Sequence, residues 1–96
     1  MSNQRLSVRY EGRVQGVGFR MNVADVAQGF AITGRVANVQ DGSVDLQAEG
    51  SQEELLRFQA AIGERLDRFI THVHQRWSDA PQATWSDFAI GADLER

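Results

Sequence analysis

The stretch LSVRYEGRVQGVGFRMNVADVAQGF, residues 6–30, changes its hydrophobic period partway along. Leu6, Val8 and Tyr10 alternate with Ser7, Arg9 and Glu11, the pattern of a half-buried strand. From Phe19 the period lengthens: Phe19, Val23, Val26, Ala27 and Phe30 fall at helical spacing, with Asp25 and Gln28 facing away. Gly29 weakens the last turn of that helix. Between strand and helix stands GRVQGVGFR, residues 12–20, with three glycines and no cysteine, histidine or acid.

Working outward, ITGRVANV reads as a second strand, and Gln40, Asp41 and Gly42 are a hairpin turn signal. SVDLQAEG alternates again, with Val44, Leu46 and Ala48 inward and Asp45, Gln47 and Glu49 outward. Ser51 and Glu54 have the spacing of a capping box, and the helix they start carries a stripe of Leu55, Phe58, Ile62 and Leu66. THVHQRWS is a fourth strand, ended by Pro81, and WSDFAI a short fifth. The order βαββαβ with a short fifth strand predicts an α+β fold, the ferredoxin-like α/β sandwich. Both helices should cover one face of an antiparallel sheet, and residues 1–96 should form a single domain.

Composition narrows the function. A chain of 96 residues that is 42% hydrophobic and 24% charged is ordinary globular material. Without cysteine it offers neither disulfides nor thiolate metal sites, which suits a reducing compartment. No apolar run is long enough to cross a membrane, and the opening residues lack an apolar signal core. A cytoplasmic protein, monomeric and away from membranes, is the expectation. The net charge of −3 argues against a general nucleic-acid binder. The charge is uneven: residues 1–40 carry +3 and residues 41–96 carry −6. Either the basic half steers a small anion toward the glycine loop, or the asymmetry reflects no more than a solvated acidic helix face. The chain holds no lysine, which excludes a Walker-type P-loop.

A strand that runs through a glycine-rich turn into a helix can trap an anion. Glycine permits positive φ and close approach of the backbone, successive amides can converge in a nest, and the helix start adds partial positive charge. Arg20 can present its planar fork to two oxygens of a phosphate or carboxylate. Spacing alone leaves open a plain tight turn. It does exclude the dinucleotide fingerprint, because no third glycine stands three residues after Gly18.

The wording of two segments goes further. GRVQGVGFR and the later GRVANVQDGSV, residues 34–44, closely resemble the acylphosphatase family, whose members show G-x-V-Q-G-V-x-F-R and then G-x-V-x-N-x-x-D-G-x-V. The resemblance covers roughly residues 6–91. It implies the ferredoxin-like fold read above, and hydrolysis of the carboxyl–phosphate anhydride of acyl phosphates. It also implies a phosphate cradle of backbone amides at Gln15, Gly16, Val17, Gly18, Phe19 and Arg20. Arg20 becomes the phosphate-binding arginine and Asn38 the residue that orients the attacking water; no cofactor and no metal is implied.

That chemistry suits these residues. A carboxylate leaving group with a pKa of about 4 needs no proton from a general acid. What remains is charge stabilisation and an aligned water, which Arg20 with the amides and the Asn38 amide oxygen can supply. The family mechanism implies that the water's proton goes to a phosphate oxygen of the substrate. Taken without the resemblance, Asn38 reads first as preparation for the turn, and Asp41 and Gly42 read as turn chemistry that fixes the hairpin register.

Two departures from the family pattern stand at Arg35, where an aromatic is common, and Ala37, where a basic residue is common. Arg35 has the wrong parity along the strand to share a face with Asn38. The close FAIGADLER is longer than usual. Other readings remain. A relative of this kind can bind an acyl phosphate or carbamoyl phosphate without turnover, as a module. His72 and His74 share a strand face but lack an obvious third metal ligand. Trp77, Trp85 and Phe88 could stack bases, yet the third strand lacks the aromatics that an RNA-recognition domain carries.

Overall fold

The computed structural model describes residues 3–95, so Met1, Ser2 and Arg96, the ends of the expected domain, lie outside the described residues. The elements are β1 (Gln4–Gly12), α1 (Phe19–Ala27), β2 (Ile32–Asn38), β3 (Val44–Gly50), α2 (Gln52–Leu66), a 3₁₀ turn (Asp67–Phe69), β4 (Ile70–Asp79) and β5 (Phe88–Ile90). The sheet order is β4-β1-β3-β2-β5, and the first four strands pair antiparallel, as the ferredoxin-like arrangement requires. β5 departs from the expected antiparallel sheet. It lies parallel to β2, with Gly34 opposite Phe88 and Val36 opposite Ile90, so the sheet is mixed. It is also shorter than WSDFAI suggested, since Trp85, Ser86 and Asp87 precede the strand.

The alternation read in the sequence sets the core. Leu6, Val8 and Tyr10 from β1 and Val44, Leu46 and Ala48 from β3 are almost completely buried beneath the helices. Leu55, Phe58, Ile62 and Leu66 close over them from α2, and Phe19, Val23, Val26 and Ala27 from α1. Each large side chain buried this way contributes about 1.5–3 kcal/mol. α1 ends at Ala27 and leaves Phe30 beyond it, in accord with Gly29 as a weak last turn. Phe30 still packs on Phe58, with ring centroids 5.9 Å apart.

Half of the capping box forms. Ser51 Oγ accepts from the Glu54 amide at 3.2 Å, but the Glu54 carboxylate accepts from Ala31 N and Arg57 Nη1 instead. Glu49 corrects a second expectation. It does face the side of the sheet away from the helices, yet it is only 3% exposed. The loop that follows β4 lies over it: Thr84 donates to the carboxylate from its amide and its hydroxyl, and Arg5 from Nε and Nη2.

Candidate active site

The glycine loop is held from below by apolar side chains. Val14 and Phe19 are buried at its two ends, Val17 packs on the core, and the Phe19 ring lies 5.3 Å from that of Tyr10. Gly12 is needed for space. At φ 133°, where β1 shifts register against β4, a Cβ would stand 2.3 Å from Phe69 O. Gly16 and Gly18 serve a different need. Both take φ 78°, and an added Cβ would meet nothing within 4 Å at Gly16 and only Asn22 Nδ2 at Gly18. Their requirement is left-handed backbone on an open surface, the geometry in which amides can approach a ligand.

Gly18 is also the N-cap of α1. No side chain caps that end and its first turn holds no acid, so the partial positive charge of the helix start is left for a guest. Arg20 stands in the first turn, about one-third exposed, with Asp93 Oδ1 3.8 Å from its Nη1.

Gln15 joins this loop to the β2–β3 hairpin. Its side-chain amide donates to Val39 O and to Ser43 O, both at 2.8 Å. The family resemblance implies a backbone role for Gln15; this side-chain clamp adds to it. The hairpin turn is built as its residues suggest: Gly42 has φ 97°, Gly42 N donates to Val39 O, and Asp41 accepts from the amide and hydroxyl of Ser43. Asn38 closes β2 beside this turn, and its Oδ1 is enclosed with no hydrogen-bond partner among the described residues. An unused acceptor there suits a residue meant to hold a water.

The third component comes from the end of the chain, which sequence reasoning noted only as long. After β5, Gly91 N donates to Val36 O, Leu94 N to Asn38 O and Gln40 N to Leu94 O. Asp93 thus approaches Arg20 while its neighbour Leu94 is bonded to Asn38, so adjacent residues of the strap touch both. No periodicity could have announced a strap of this length.

The remaining candidates fall elsewhere. Arg35 donates to Gly34 O and pairs with Asp87 at 2.8 Å, holding the entry to β5 on the face away from Asn38. His72 and His74 stack on the outer face of β4, His74 against Glu11, and among the described residues no cluster of three or more His, Cys, Asp or Glu is placed to hold a metal. Trp77 packs on the core, Trp85 lies under Arg5 and Phe88 meets Phe58, so the three rings share no stacking surface. Tyr10 Oη is buried without a partner among the described residues, and burial pushes its ionisation far above the ordinary phenol range. It is a wall of the core and not an acid–base group.

Fold and site together define a small ferredoxin-like α/β sandwich with an uncapped glycine loop, an arginine and an asparagine gathered at one end. A model of the acylphosphatase family matches residues 6–90, and the chain belongs to that family. It is 44% identical to the acylphosphatase of Salinibacter ruber over 84 residues, 85% of this chain and 87% of that protein. It is similar to the crystal structure of acylphosphatase from Bacillus subtilis, with TM-score 0.72 and 26% identity over 95% of this chain and 97% of that one. Full-length HypF, solved in a phosphate- and nucleotide-bound form, shares the fold with TM-score 0.79 at 24% identity; the match covers 97% of this chain and 12% of HypF.

Proposed function

We propose that the chain is an acylphosphatase, which cleaves the carboxyl–phosphate anhydride of small acyl phosphates through Arg20 and Asn38. The observation that carries this reading is the Gln15 clamp. It ties an uncapped, left-handed glycine loop to the hairpin where the Asn38 acceptor waits. The phosphoryl group rests on the amides of Gln15, Gly16, Val17, Gly18, Phe19 and Arg20, with the Arg20 guanidinium on two of its oxygens. A water accepted by Asn38 Oδ1 attacks phosphorus opposite the leaving carboxylate. The P–O bond to the acyl group breaks as the water's oxygen bonds to phosphorus, and the water's proton passes to a phosphate oxygen. Negative charge spread over the equatorial oxygens is met by fixed dipoles and one cation. Neither a general acid nor a metal is required by a leaving group this weakly basic. The cysteine-free, acidic chain is read as a cytoplasmic monomer without a nucleic-acid or membrane partner.

Hydrolysis of benzoyl phosphate in the presence of a chelator tests the reading. Arg20→Gln and Asn38→Ala should each lower kcat/KM by about 10²–10³ while circular dichroism stays native. Turnover that survives both substitutions removes these residue roles. A folded wild type that binds phosphate through Arg20 without turnover makes the chain a binding module.

A further inference from the structure

The strap that follows β5 brings a carboxylate to the candidate phosphate ligand. Arg20 stands in the first turn of α1, and the acid paired with it among the described residues is Asp93, whose Oδ1 lies 3.8 Å from Nη1. This carboxylate does not ride on a free tail. Gly91 N donates to Val36 O, Leu94 N to Asn38 O and Gln40 N to Leu94 O, and Leu94 forms a parallel bridge with Val39. The strap is held through its backbone on both sides of Asp93. The acid can therefore leave Arg20 only by rotating its own short side chain.

We propose that Asp93 is a resident competitor for Arg20: it holds the guanidinium in the empty site and lowers the affinity of the cradle for phosphate, so that product phosphate is released and not retained. The inference rests on the reading of Arg20 as the phosphate ligand. A phosphate that takes two bonds from the guanidinium displaces the Asp93 carboxylate from it. Because the strap stays in place, the displaced carboxylate remains beside the incoming anion, and two like charges share one cation. Asp93 takes no part in the chemistry at phosphorus; it changes how firmly the phosphoryl end is held before and after cleavage. Exposure bounds the effect. Asp93 is 78% exposed, so water and salt screen both the pair and the repulsion, and the change is several-fold and not thousand-fold.

Calorimetric titration with inorganic phosphate tests this. At an ionic strength of about 0.01 M, where the Debye length is about 30 Å, Asp93→Asn should bind phosphate about three- to tenfold more tightly than the wild type. At about 1 M salt the gap should close. Glu95→Gln removes the same charge further along the exposed strap, with no pair to Arg20 among the described residues, and should change the affinity less than about twofold. Phosphate should also inhibit benzoyl phosphate hydrolysis at correspondingly lower concentration in Asp93→Asn. Equal affinities in the wild type and Asp93→Asn at low salt, or an equal gain in Glu95→Gln, overturn the proposal. Weaker binding in Asp93→Asn overturns it too, and makes Asp93 a residue that positions Arg20 for phosphate. Arg20→Gln separates the two layers. Phosphate binding that is lost in Arg20→Gln upholds the site whichever way Asp93 falls. Binding that is absent from the wild type and Asp93→Asn alike, or indifferent to Arg20, removes the site and the competitor with it.

Discussion

Two loops are fixed in this molecule by opposite means. The glycine loop between β1 and α1 is held by apolar anchors and by the neutral Gln15 amide on two backbone carbonyls. The loop between β4 and β5 is held by a buried carboxylate, Glu49, that takes four hydrogen bonds from Arg5 and Thr84. The first arrangement has no acid in the first turn of α1 and no side-chain cap, and the carboxylate that approaches Arg20, Asp93, comes from the strap beyond β5 and not from the loop. The second spends its charges on each other and offers nothing to a ligand. The candidate site thus keeps its own scaffold neutral, and ion pairing is left to a loop that only has to stay in place.

The largest change in stability should come from breaking the space that the first loop needs. In Gly12→Ala the new Cβ meets Phe69 O at 2.3 Å and Thr71 N at 2.8 Å, both backbone, at a φ of 133°. A loss of about 3 kcal/mol or more is expected, read from urea unfolding. Gly16→Ala is its partner measurement. Nothing lies within 4 Å of that Cβ, so only the left-handed backbone opposes it, at about 1–2 kcal/mol. Equal losses at the two positions would show that space is not what Gly12 provides.

Next comes the second loop. Burial by itself would raise the Glu49 carboxyl, but the Thr84 amide and hydroxyl and the Arg5 guanidinium hold it below its ordinary range. A depressed folded pKa means stabilisation that is complete above the unfolded value of about 4.3 and is lost as pH falls through the folded one. Glu49→Gln should lower stability by about 2 kcal/mol at pH 7, less than for a fully enclosed pair because Arg5 is one-third exposed. The deficit should narrow as pH falls below about 4, where the wild type loses the same charge. A deficit that stays constant through acid would assign the loss to packing and not to ionisation.

The sequence disclosed these regions unequally, for physical reasons. β1, β3 and α2 each bury one face over several residues, so Leu6, Val8 and Leu46, or Leu55 and Phe58, repeat at a readable period. The glycines and Arg20 were legible because their conformational and charge requirements are local. Glu49 was placed on the correct face, but alternation cannot say that Thr84, 35 residues further on, will cover it. β5 has three residues, too few to show a period, and its parallel pairing with β2 follows from where the preceding loop delivers it. The strap beyond it bonds through backbone atoms, which leave no mark on side-chain pattern. Asn38 lay between: its residue type permits both a turn and a water site, and what the fold adds is an enclosed Oδ1 without a partner among the described residues.

The smallest stability change, and the sharpest contrast between the loops, should come from Gln15→Ala. The two carbonyls that lose the Gln15 amide keep other donors: Val39 O still accepts from Gly42 N at 3.0 Å, and Ser43 O from Val39 N at 2.9 Å. Neither is orphaned, so the loss should be about 1 kcal/mol, that of a hydrogen bond whose acceptors stay satisfied. Catalysis should suffer more. Without the clamp the cradle is free to shift against Asn38, and phosphorus and water lose their alignment, lowering kcat by about tenfold or more. Glu49→Gln should behave in reverse, with the larger stability loss and kcat per folded molecule within about threefold of wild type, since Glu49 pairs with Thr33 at the end of β3 far from the Val44–Asn38 pair. Benzoyl phosphate kinetics on both variants, beside their urea curves, put the two loops on one scale. If Glu49→Gln lost as much kcat as Gln15→Ala, the two loops would be a single catalytic scaffold, joined through β5 and the strap that reaches Asn38.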